Sequence, residues 1–164
     1  MRFSTIDMRR AHSTSSGLRQ VRRTAIVEHP VAALHALVAD VPTYPAFLPW
    51  CLGATVEGVT EEGIRASMEV GVRGFRQRFT TLHRSHPPEA IDITLVEGPF
   101  RQFHAHWQFV PLGDAAAKIE DLMEYEFSGA AVTALLGPLF EQIADTMVDA
   151  FIRRADALKG RAAV

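Results

Sequence analysis

His104 and His106 are separated by one residue. On a strand, such a pair shares one face, as two metal ligands must. Their parity is opposite to that of Trp107 and Phe109, so they belong to the solvent side. No third ligand is evident, and no metal site is expected. Cys51 is the only cysteine, which excludes a disulfide framework and a multi-cysteine zinc site. No histidine–acid arrangement accompanies it, so it reads as a small buried apolar residue rather than a nucleophile. Asp121 shares strand parity with Ile119, Met123 and Tyr125. A lone buried carboxylate is costly. Asp121 is therefore either a polar anchor for a ligand or a residue near the exposed end of its strand, and the second is the expectation. Tyr125 can donate a hydrogen bond to a ligand carbonyl. Apart from Tyr125, Asp121 and Gln77, the inward positions supply few groups for acid–base catalysis, so no catalytic residue is assigned. Arg76, Arg78 and Arg84 share one face of a strand, and Arg65 lies on the preceding strand. They could meet RNA phosphates, or form a solvated face balanced by acids such as Glu69.

The elements that position these residues follow from periodicity. The chain has 164 residues and a mass of 18.1 kDa, with 48% hydrophobic and 22% charged residues. This is the size and make-up of one globular domain, not of a disordered or fibrous chain. A net charge of −2 argues against a dedicated DNA binder. The charge is uneven: residues 1–23 carry six arginines against the single acid Asp7. Residues 1–18 are read as a disordered basic tail. A mitochondrial transit segment, or an upstream extension with Met8 as the true start, would carry the same signature. A strand is expected over Arg19–Val27 and a short helix over Pro30–Val38. Asp40–Pro49 follows as a proline-punctuated loop holding one helical turn. From Cys51 the period changes to two. Strands are expected over Leu52–Thr60, Ile64–Val72, Phe75–Arg84, Ala90–Glu97, Phe100–Val110 and Ala117–Phe127, joined by short turns that suit antiparallel neighbours. One face of the sheet is apolar and the other wet.

A helix from Ala131 to Lys159 closes the chain. Its apolar stripe is Val132, Leu135, Leu136, Leu139, Phe140, Ile143, Met147, Phe151, Ile152, Ala155 and Leu158. Gly137-Pro138 should kink or restart it. An antiparallel sheet followed by one long helix is a two-layer α+β plan. A sheet that curls around a single helix can leave an apolar cavity between them, and Ala66, Gly71, Gly74 and Ala105 are small inward residues that favour one. The expected lining is Met68, Val70, Phe79, Ile93, Leu95, Phe103, Trp107, Met123 and Tyr125 from the sheet, with Leu136, Phe140, Ile143 and Met147 from the helix. Tyr44, Phe47 and Trp50 would form an aromatic gate over its mouth, or dip into a membrane interface. The uncharged run Phe127–Phe140 is too short and too broken to span a bilayer, but could make transient membrane contact.

Several blocks carry a family resemblance: Tyr44-Pro45-Ala46-Phe47-Leu48-Pro49-Trp50-Cys51, Gly98-Pro99-Phe100-Arg101, His106-Trp107-Gln108-Phe109, Tyr125-Glu126-Phe127-Ser128, Leu136-Gly137-Pro138-Leu139-Phe140 and Met147-Val148-Asp149-Ala150-Phe151. Together they resemble the coenzyme Q-binding family of START-like proteins, within the polyketide cyclase and lipid-transport superfamily. Its bacterial members are also called ribosome association toxins. The resemblance spans Arg19 to Gly160, a single domain. It implies a helix-grip fold of the Bet v 1-like type and a cavity for ubiquinone or another polyprenyl lipid. The implied role is that of a non-catalytic carrier or chaperone supporting respiration. No cofactor is required, and ubiquinone enters as a bound ligand. The alternative is inhibition of ribosomal subunit association through the large ribosomal subunit, with Arg65, Arg76, Arg78 and Arg84 as RNA contacts. A polyketide cyclase or aromatase is the third reading. The expected location is the bacterial cytoplasm, including the inner-membrane periphery, or the mitochondrial matrix in a eukaryote.

Overall fold

The computed structural model describes residues 17–162 apart from Arg73. The expected basic tail therefore lies almost wholly outside the described residues. The order is β1 (Arg19–Val27), α1 (Val31–Ala39), a 3-10 segment (Val41–Ala46), β2 (Cys51–Thr60), β3 (Gly63–Val72), β4 (Phe75–His86), β5 (Ala90–Glu97), β6 (Phe100–Pro111), β7 (Ala117–Phe127) and α2 (Ala130–Ala162). Pro30 precedes α1 in an extended conformation, where its missing N–H costs nothing. Short turns make each strand from β2 to β7 pair antiparallel with the next, and β1 returns to pair with β7. The sheet order is β1-β7-β6-β5-β4-β3-β2, so β1 and β2 are its edges. The architecture is α+β, a helix-grip fold.

Alternation fixes which side chains face α2. In β7, Ala117, Ile119, Asp121, Met123, Tyr125 and Phe127 are buried and every residue between them is only half-buried. α2 is held at two aromatic clusters. The Phe140 ring lies 6.1 Å from Phe79, 5.1 Å from Phe100, 5.6 Å from Tyr125 and 5.4 Å from Phe127. Eleven residues later, roughly 16 Å along the helix, Phe151 packs edge-on against Tyr44 at 5.3 Å, Phe47 at 5.1 Å and Trp107 at 5.2 Å. Off the stripe, acids of α2 meet the arginines of β1: Arg19 pairs with Glu141 at 2.9 Å and Arg23 with Asp145 at 2.7 Å. His29 meets Asp156 at 2.6 Å. Arg19 and Arg23 of β1 thus bind the helix.

Four details depart from the sequence expectation. α2 is one continuous helical element through Pro138, because packing on the sheet holds it where local propensity would interrupt it. Leu135 is 59% exposed and Leu158 39% exposed, so the true stripe is narrower than the periodic one. Gly71 makes no room for a cavity, since a Cβ there would run into the carbonyl oxygen of Phe75. Gly74 sits in the β3–β4 turn with φ 82°, a conformation that favours glycine.

Candidate ligand-binding cavity

Between the two aromatic clusters the sheet and α2 do not meet fully. A cavity of about 60 Å³ remains there, where one water needs roughly 10–15 Å³. Met68, Phe79, Ile93, Phe103, Trp107, Met123, Phe140, Ile143 and Met147 line it, with Tyr44 and Trp50 from the segment ahead of β2. The sheet and helix residues are those expected from parity and periodicity, whereas Tyr44 and Trp50, expected as a gate over the mouth, stand in the lining itself. Phe47, Val70, Leu95, Tyr125 and Leu136 do not line it. Val70, Tyr125 and Leu136 are fully enclosed in solid core. Tyr125 is packed among Phe100, Phe127 and Phe140. Phe47 is taken up by Tyr44 and Phe151, with the Arg154 guanidinium 5.5 Å over its ring. Leu95, opposite Thr81 on the neighbouring strand, packs against the core only in part.

Thr81, His83, Ala105 and Phe151 complete the lining. Thr81 and His83 are the residues that sequence reasoning missed, although the signal existed. They continue the inward parity of Phe79 along β4, and their cross-strand partners Ala66 and Ile64 belong to the apolar face of β3. The cavity therefore contains an imidazole and a hydroxyl among apolar walls. The His83 Nε2 lies 2.9 Å from Thr81 Oγ1, and its Nδ1 has no partner. Burial alone pushes the imidazole down to about 4, so it is neutral at physiological pH. The Trp50 indole N–H is also buried and unpartnered. By contrast, the Tyr44 hydroxyl donates to the Val38 carbonyl and is spent structurally. Its phenol is pushed well above the ordinary range, chiefly by burial. The Cys51 thiol is pushed up to about 11, also by burial, which leaves it protonated and poorly nucleophilic.

Asp121 is not at an exposed strand end. It is 2% exposed, facing Arg23 across the β1–β7 pair. The strand carries it inward on the parity of Ile119 and Met123, and β1 covers it. Burial raises its carboxyl to about 7, against a smaller lowering by the Arg23 charge. It lies beside the cavity rather than in its lining, so it does not reach a ligand held there.

On the outer face, His104 and His106 share the carboxylate of Asp92. His106 Nδ1 lies 2.7 Å and His104 Nε2 3.3 Å from its Oδ1. Burial pushes the Asp92 carboxyl up, but the hydrogen bonds from both histidines hold it below the usual range. Among the described residues, no group of three or more His, Cys, Asp or Glu is arranged to hold a metal ion. The arginine face is exposed and paired. Arg65 and Arg78 both reach Glu57, at 3.1 Å and 3.0 Å, and Arg76 reaches Glu69 at 3.0 Å. Arg84 donates to the Glu62 carbonyl. Beneath them Ser67 and Thr80, on the side expected to be wet, are buried and joined at 2.7 Å. Among the described residues no helix is long and apolar enough to cross a membrane.

Residues 27–152 match the family described as polyketide cyclase / dehydrase and lipid transport. The chain belongs to this family. It is 44% identical over 140 residues to the ribosome association toxin RatA of Pseudomonas aeruginosa, covering 85% of this chain and 97% of that one. It is 25% identical over 135 residues to the mitochondrial coenzyme Q-binding protein COQ10 homolog B of Xenopus laevis, covering 80% of this chain and 55% of the relative. The Zhui aromatase/cyclase of a Streptomyces species shares the fold with a TM-score of 0.75 at 16% identity, over 85% of this chain and 94% of that one. Relatives of this chain thus carry names from coenzyme Q binding and ribosome association, and a protein that shares its fold is named for ring-forming catalysis. Fold does not choose among them; the groups inside and outside the cavity must.

Proposed function

We propose that this START-like protein holds a hydrophobic isoprenoid lipid of the ubiquinone class in the cavity between sheet and α2, as a carrier or chaperone and not as a catalyst. The observation that carries this reading is the gap between the Phe140 and Phe151 clusters, walled by apolar side chains apart from the imidazole and hydroxyl of β4. An isoprenoid needs its water replaced by apolar contacts, worth about 0.8 kcal/mol per buried CH₂. Association costs an estimated 4–15 kcal/mol, so ten buried CH₂ equivalents, about 8 kcal/mol, give useful affinity only where the cavity is preformed. The space as it stands, about 60 Å³, is smaller than the roughly 150 Å³ of a cavity that holds benzene, so a ring or a first isoprene unit enters only as the walls give way. A longer tail needs α2 and the Tyr44–Trp50 segment to part. The relative named coenzyme Q-binding supports the ligand class. A cyclase would use a proton donor inside the cavity, and a His83 that is neutral down to about pH 4 is a poor one. Organic extraction of the purified protein followed by mass spectrometry tests the reading. Copurified polyprenyl quinone is the expected result. A cavity that takes up no quinone or other polyprenyl lipid, even on addition, would overturn it.

A second reading is favoured by the relative named ribosome association toxin at 44% identity: association with the large ribosomal subunit through Arg65, Arg76, Arg78 and Arg84. Exposed ion pairs such as those of Glu57 and Glu69 contribute little because solvent screens them, so phosphates could replace the carboxylates. Cosedimentation with large subunits that weakens steeply with salt supports it. Cosedimentation that is absent, or insensitive to salt, counts against it.

A further inference from the structure

Two residues of the cavity lining carry a buried polar atom that has no partner: the Trp50 Nε1–H and the His83 Nδ1. Both residues are 6% exposed. A buried polar group without a hydrogen bond is costly, and the rest of the cavity shows what the fold does when no ligand group is needed. The Tyr44 hydroxyl in the same lining is satisfied by a backbone carbonyl. The two unsatisfied atoms therefore mark where a ligand's polar atoms belong.

The two atoms differ in kind. An indole N–H only donates. A neutral imidazole carries one N–H, on either nitrogen, and its other nitrogen fixes which. Here that other nitrogen, Nε2, faces the hydroxyl of Thr81 at 2.9 Å, and a hydroxyl can either donate or accept. If Thr81 donates to Nε2, the proton sits on Nδ1, which then donates into the cavity. If Nε2–H donates to Thr81, the bare Nδ1 accepts from the cavity. Both arrangements keep every hydrogen bond. The His83–Thr81 pair can thus present a donor or an acceptor at one point without any movement of heavy atoms.

Resting on the proposed quinone-class reading, we infer that Trp50, His83 and Thr81 form the headgroup site of the cavity and that this site holds the oxidised and the reduced head alike. A quinone carbonyl accepts from Nδ1–H, and a quinol hydroxyl donates to bare Nδ1. The Trp50 N–H meets an oxygen in either state, since a carbonyl and a phenolic hydroxyl both accept. The ring is bound and not oxidised or reduced by the protein. Burial of the imidazole keeps it neutral, which preserves the choice, because a protonated ring could only donate.

Isothermal titration with ubiquinone-1, with ubiquinol-1 under argon, and with farnesol as a headless apolar control tests this. Wild type should bind the two ring forms within about threefold of each other, and His83→Phe should weaken both about tenfold more than it weakens farnesol. Thr81→Val should also weaken both, and Thr81→Ser should restore them; these variants carry the test if His83→Phe gives no cooperative melt. Equal ring affinities in wild type and Thr81→Val, or a wild-type preference of more than about tenfold for one oxidation state, would overturn the headgroup assignment while farnesol binding left the cavity reading standing. Failure of all three probes to bind wild type would overturn both.

Discussion

Replacing Asp121 by asparagine should stabilise the protein in alkali and change it far less in acid. The carboxyl is 2% exposed, and burial lifts it from 3.8 to about 7. Because the folded state holds the proton more tightly than the unfolded chain, this group's contribution is fully present below about pH 4. It is lost progressively as pH rises through about 7. The shift of about three units corresponds to about 4 kcal/mol, at 1.36 kcal/mol per unit. About two of those units, or 3 kcal/mol, fall between pH 5 and pH 8. The amide would keep the shape, lose the ionisation, and leave Arg23 its 2.7 Å contact with Asp145. The assay is urea denaturation of both proteins at about pH 5 and pH 8, compared as the difference between variant and wild type so that every other titrating group cancels. The stability difference should move in favour of Asp121→Asn by about 3 kcal/mol on going to the higher pH. A difference that stays the same at both pH values would refute the burial of an ionisable Asp121. One that moves the other way would mean that the Arg23 charge outweighs desolvation.

Three further perturbations have definite outcomes. His83 is held neutral down to about pH 4 against an ordinary 6.5, so its contribution is present above about 6.5 and lost as pH falls towards 4, by about 3 kcal/mol; His83→Gln should flatten that acid limb in denaturant melts. Ala105→Val adds two methyl groups to the cavity wall and should raise stability by about 1.6 kcal/mol while lowering ligand affinity, read by thermal shift and titration together. Glu57→Gln frees Arg65 and Arg78 of their shared carboxylate; under the ribosomal reading it should strengthen cosedimentation with large subunits and steepen its salt dependence.

Strand parity makes most of the cavity wall legible in advance. Met68, Phe79, Ile93, Phe103, Trp107 and Met123 all face α2, because a period of two leaves an inward residue no alternative once its strand is placed. The errors have separate causes. Val70 and Leu136 are inward yet miss the cavity, since parity tells the side of the sheet but not where packing is incomplete. Asp121 reads as a strand-end residue only when its charge is weighed above its parity, whereas the strand continues past it and β1 covers it. Thr81 and His83 escape notice for being polar on an apolar face, which is the property that gives them a candidate role. Gly137-Pro138 predicts a break from local propensity, and tertiary packing overrides it.

The cavity and its unpaired polar atoms both cost stability in the empty protein. A void forfeits contacts on its walls, and an orphan buried N–H costs about 1–3 kcal/mol. A sequence under selection for folding alone could remove these costs with small changes, for example valine at position 105 or a hydrophobic residue at 83. The two aromatic clusters and the outer ion pairs of α2 show no such slack. The Phe140 ring meets four other aromatics and Phe151 three, while Glu141, Asp145 and Asp156 of α2 have each found a cationic or imidazole partner. Among the described residues the buried Asp121 Oδ1 and Arg154 Nε also lack partners, but Trp50 and His83 belong to the cavity lining, and a bound molecule that fills the cavity and meets them would restore both missing terms there. Any such ligand must then raise stability by RT ln(1 + [L]/Kd), about 2.7 kcal/mol at roughly a hundredfold excess over Kd. For a domain of this size that is a rise of about 5–11 °C in Tm. Thermal shift against ubiquinone-1 measures it directly. Saturating ligand that leaves Tm unmoved would mean that the hollow is a packing defect and not a binding site.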